Sequence, residues 1–143
     1  MNRSHSKMRH FAKRLIVHEA RENKFVATKT AAAFDVCEKL RPQLATLMGN
    51  GGFGALLARA HALASAEVPW LRAVHVNADG AFAEVENQRA RLAPGEFLQG
   101  RVVLLARLLG LLGAFIGESL TLRLVREAWP KVPLDDLKFA GRS

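Results

Sequence analysis

Apolar residues recur along this chain at helical spacing, and in one stretch they close around the whole circumference. From Gly100 to Leu120 only the charges of Arg107 and Glu118 interrupt the apolar run in its middle. Projected at about 100° per residue, both fall on one narrow edge. Pro94 suits a first helical turn and Pro130 stops a helix, so one helix over about 94–129 is predicted. A helix apolar on nearly every side is buried on nearly every side. The other helices must then be arranged around it.

Shorter patterns supply those helices. Met8, Phe11, Leu15 and His18 form a stripe in a helix that Ser4 caps and that runs to about Asn23. Phe34, Cys37, Leu40, Leu44 and Leu47 give a second apolar face, opened at Thr28 or Thr30 and continuing to Met48. Pro42 lies inside it and predicts a kink near Leu40, because proline removes a backbone donor. Phe53, Leu56, Leu57, Ala60, Leu63 and Ala64 mark a third helix, and Phe82, Val85, Arg89 and Leu92 a modest fourth. Between these two, Pro69 breaks the helix, Leu71 to Val76 has mixed β character, and Asn77-Ala-Asp-Gly80 is turn chemistry. A short hairpin near 71–83 fits that stretch, with His75 facing away from Val74 and Val76. Trp70 is large enough to anchor the crossing segment to the core.

Glycine punctuates the pattern twice. Gly49-Asn50-Gly51-Gly52-Phe53-Gly54 matches G-x-G-x-x-G literally. A dinucleotide site needs a strand before that motif and an acidic residue about twenty positions after it. Here the preceding segment is helical, and Glu67 and Asp79 only flank the required distance. A turn between two helices is the better reading. Within the long helix, Ala106, Gly110, Gly113 and Gly117 share a stripe. Each glycine costs a helix interior about 1 kcal/mol relative to alanine, so the stripe is expected to serve helix packing or an oligomer interface.

Charge changes the picture at one end only. The first thirty residues hold eight lysines and arginines against Glu19 and Glu22, so they carry +6 of the chain's net +8. Such an asymmetry points to polyanionic partners. Lys7, Arg9, Lys13, Arg14 and Arg21 surround the apolar stripe of the first helix and are the candidate contacts to nucleic-acid phosphates. Phe11 is the one aromatic residue among them, too few for a base-stacking platform, so contact through the backbone without sequence preference is expected. One alternative is a protein-binding regulatory module without nucleic acid, in which the apolar strap and the Trp70 region do the recognising and the charges of the first helix are solvated. Another is a membrane-associated helical protein.

Candidate chemistry is sparse. No serine, cysteine or threonine stands in a nucleophile motif, His61 has no ligand-type neighbour at metal-site spacing, and the carboxylates are scattered. A non-catalytic protein with no cofactor and no metal is expected. Cys37, the single cysteine, fits a reducing, cytoplasmic compartment, and the charged first ten residues do not read as a secretory signal. Membrane insertion is not favoured. The eleven Leu, Val, Ile and Phe residues between Val102 and Leu120 contribute roughly −3 to −7 kcal/mol, which Arg107, Glu118 and the glycines largely cancel. The strings Leu47-Met-Gly-Asn-Gly-Gly-Phe53 and Pro69-Trp-Leu-Arg-Ala-Val-His-Val76 resemble segments of small bacterial proteins, which implies no activity.

The chain therefore reads as an all-α bundle of about five helices. Residues 1–30 form a basic helix or arm, 31–129 the bundle and 130–143 an extended apolar strap containing Val132, Leu134, Leu137 and Phe139. So apolar a central helix in so small a domain predicts a homo-oligomer or docking in a larger protein assembly. The expected function is an accessory or scaffold subunit whose basic first helix touches nucleic acid.

Overall fold

The computed structural model describes residues 3–22, 35–76, 82–83 and 90–129. Its elements run in the order α1 (Arg3–Glu22), α2 (Asp35–Glu67), a 3-10 turn (Pro69–Ala73), β1 (His75–Val76), β2 (Phe82–Ala83), α3 (Pro94–Ile116) and α4 (Glu118–Ala128). This is an all-α bundle, with α3 touching α1, α2 and α4. The expected start of the second helix at Thr28 or Thr30 lies outside the described residues, as does the strap at 130–143.

Residues Val102 to Ala106, Leu108, Leu109 and Leu112 of α3 are buried. Its N-terminus is fixed by Pro94 in the first turn and by Glu96, whose carboxylate accepts from the Ala93 N–H at 3.2 Å. That reach satisfies one of the donors a helix start leaves unpaired. Over Gly95–Ile116 the helix is long and apolar enough to cross a membrane, yet half of its apolar window lies inside the bundle.

The predicted single helix over 94–129 is broken. Gly117 adopts φ 94 and ψ 153, a conformation open essentially to glycine alone, and ends α3 before α4 begins at Glu118. The break rephases the chain. A continued α3 would carry Arg123, Arg126 and Glu127 onto the face used by Leu105 and Leu112. In α4 those three side chains are exposed instead, while Thr121, Leu124 and Val125 are buried. Trp129, the last residue of the predicted bundle, is 1% exposed and is among the largest buried side chains. Burial is also less complete than expected at the far end of α3: Gly110, Ala114 and Phe115 are exposed.

α2 joins the predicted second and third helices. Pro42 sits within it, and the non-helical backbone lies at Gly49 (φ 79, ψ 162), not near Leu40. The glycine run is thus a break between two helical halves, and the segment immediately before it is helix. Arg41 stacks its guanidinium over the Phe53 ring, 4.9 Å from the centroid. Twelve residues of straight helix would separate the two backbones by about 18 Å, so this contact requires the bend that Gly49 provides. Leu40 and Leu44 are buried before the break and Phe53, Leu57, Ala60 and Ala64 after it, whereas Leu47 turns outward.

The crossing segment differs from a plain hairpin. Pro69–Ala73 forms the 3-10 turn, and only His75–Val76 pairs with Phe82–Ala83, antiparallel, His75 opposite Ala83 and Val76 opposite Phe82. Phe82 therefore belongs to a strand and not to the predicted fourth helix, of which Ala90 and Arg91 are the described helical residues. Val74 is buried and His75 exposed, as the alternation predicts. His61 is half-buried and hydrogen-bonded: its Nε2 donates to the Leu71 carbonyl at 2.7 Å.

Candidate nucleic-acid interface

The spacing of apolar residues in α1 fixes which way its cations point. Met8, Phe11, Ala12, Leu15 and Ile16 are all buried, the i, i+3, i+4, i+7, i+8 stripe of a helix laid on a core. The stripe faces α3. On the other side Arg9, His10 and Lys13 are exposed, and Arg14 is half-buried. Phe11, the aromatic residue of this segment, is 1% exposed, so it offers no face for base stacking. Of the five predicted contact residues, Arg9, Lys13 and Arg14 thus lie on one docked helix with their exposure defined. Lys7 and Arg21 belong to the same helix, but their side chains lie outside the described ones.

Arg9 is not a free cation. Its guanidinium donates to Oε1 of Glu67, at the end of α2. Oε2 of the same carboxylate accepts from Arg107 of α3, with Nε at 2.7 Å and Nη2 also in contact. Three helices meet here through one acid and two bases. Side-chain exposure is 43% for Arg9 and 27% for both Glu67 and Arg107. A carboxylate at a helix C-terminus opposes the helix dipole, and two guanidiniums offset that. Partly exposed pairs of this kind contribute about 0–1 kcal/mol each, so the cluster orients α1 more than it stabilises the bundle. It also leaves one positive charge without an anion inside the cluster.

Nothing in the sequence joins residues 58 and 40 positions apart. The available signal was the lone arginine in the middle of an apolar helix, which needs either an edge or a partner. Arg107 has both.

The small-residue stripe is divided by the fold. Ala106 is buried and Gly113 half-buried, whereas Gly110 and Gly117 are exposed. Among the described residues, a Cβ built on Gly110 or Gly117 would have nothing within 4 Å, so neither is required by packing against them. The close approach falls instead on Gly100, which the Trp70 ring covers. Trp70 also stacks on Phe97 with centroids 5.4 Å apart, and its Nε1 donates to the Glu96 carbonyl at 3.2 Å.

Among the described residues, no three His, Cys, Asp or Glu side chains are grouped to hold a metal ion. The Cys37 side chain lies outside the described ones. No protein-family model, no curated protein and no solved structure matches the chain.

Proposed function

We propose that this protein is a non-catalytic accessory or scaffold subunit that contacts nucleic-acid phosphates through the outer face of α1. The observation that carries the reading is the division of that helix. Five buried apolar residues dock it on the bundle, and Arg9, His10 and Lys13 are held outward. A docked helix presents its charges at fixed spacing and loses little conformational freedom when a polyanion arrives. With its aromatic residue buried, α1 recognises backbone and not bases.

The test is binding of random-sequence duplex and single-stranded DNA and RNA, read by fluorescence anisotropy at ~50 mM salt. Binding of similar strength to unrelated sequences supports the reading. No binding at that ionic strength rejects it and leaves a protein-binding module.

That second reading, self-association or docking on another protein, is favoured by a separate observation. Phe115 is 68% exposed and Leu47 49% exposed, the two large apolar side chains that the described surface leaves open. Light scattering at micromolar concentration tests it: a dimer or larger species supports self-association, and a strict monomer removes it.

A further inference from the structure

The cluster of Arg9, Glu67 and Arg107 has the composition of an anion site with its anion built in. Two guanidiniums from different helices converge on one carboxylate, each with its own oxygen. Guanidinium recognises phosphate oxygens by the same planar, two-point hydrogen bonding that it offers carboxylate. The group is partly open to solvent at all three side chains, so an anion can reach it without rearrangement of the core. Its net charge is +1. Arg107 belongs to the bundle's central helix and Arg9 to α1, which gives the site two fixed walls.

We propose that Arg9 and Arg107 form a phosphate-binding site on the α1 face, and that Glu67 occupies it as an intramolecular competitor. This rests on the reading of α1 as a phosphate-contacting helix, and it adds a residue of the central helix to that surface. In the free chain Glu67 holds the two arginines apart from solvent anions. A nucleic-acid phosphate then enters by displacing the carboxylate or by sharing the excess positive charge.

The experiment compares the full chain with Glu67→Gln, Arg107→Gln, Glu67→Gln/Arg107→Gln and, as a control, Arg123→Gln on the exposed surface of α4. Each is titrated with a short labelled single-stranded DNA and, separately, with inorganic pyrophosphate followed by thermal shift. Glu67→Gln is expected to tighten DNA binding about tenfold at low salt, the scale of one charge-assisted hydrogen bond. Its plot of log K against log salt steepens by about one unit. Pyrophosphate raises its melting temperature, and both gains vanish in the double variant. Unchanged DNA affinity and no pyrophosphate effect in a folded Glu67→Gln protein overturn the proposal while leaving DNA binding by α1 intact. Absence of DNA binding in every variant, with an Arg107-dependent pyrophosphate shift in Glu67→Gln, rejects the nucleic-acid reading and keeps the site. If Glu67→Gln does not fold, Arg107→Gln decides: a loss of DNA affinity greater than that of Arg123→Gln supports the site, and an equal loss overturns it.

Discussion

The indole of Trp70 covers Gly100 so closely that a methyl group there would meet ring atoms Cζ2, Cε2 and Cη2, each at 3.0 Å or less. The crossing segment after α2 is thus pinned to the first turns of α3 by an absent side chain. Gly100→Ala should destabilise the fold by about 1–3 kcal/mol, the usual cost of overpacking. Urea denaturation followed by circular dichroism measures it. In a Trp70→Ala background the same change should cost much less, because the two positions share one contact.

The three other glycines that matter separate by backbone and not by space. Gly49 and Gly117 have φ of +79 and +94 with room around them, whereas Gly110 is helical, exposed and equally uncrowded. Alanine should therefore cost about 1–3 kcal/mol at Gly49 or Gly117, through backbone strain alone. At Gly110 it should stabilise by up to about 1 kcal/mol, through helix propensity. Denaturant midpoints of the three variants give the comparison directly. Loss of stability on Gly110→Ala would mean that a neighbour other than the described residues lies against it.

Phe11 is 1% exposed at the centre of the α1 stripe. Phe11→Ala should lose about 3–5 kcal/mol. Proteolysis under native conditions should then cut first within α1, because the helix loses its largest buried anchor.

Much of this architecture was legible in the sequence for a physical reason: amphipathic spacing is local. The α1 stripe, the apolar body of α3 and the outward His75 follow from side-chain periodicity, and the break before Phe53 from glycine's freedom to end a helix. What escaped depends on long-range geometry. Gly117 was indistinguishable from Gly110 within one stripe, although the rotation of Arg123, Arg126 and Glu127 onto the apolar face signalled that the helix could not continue unchanged. Phe82 fits a helical pattern with Val85 and Leu92, yet its pairing opposite Val76 places it in a strand. Trp129 stands between charged Glu127 and two prolines, and only the rephased α4 brings it into the core. The convergence of Arg9 and Arg107 on Glu67 joins three separate helices, and its one local sign is the lone Arg107 within an apolar run.

Phe115 tests the second reading. If the open end of α3 is an interface between copies, Phe115→Asp should shift the particle to monomer in light scattering. Its circular dichroism should be retained, since the residue is 68% exposed and carries little of the fold. An unchanged oligomer would place the interface elsewhere.

The proposed contact of α1 with phosphates is tested most directly by the salt dependence of DNA binding. Log K should fall linearly with log salt, and Lys13→Gln, which removes an exposed charge of α1, should reduce the slope by about one unit with equal effect on unrelated sequences. A slope unchanged by Lys13→Gln, or affinity indifferent to salt, would contradict the account.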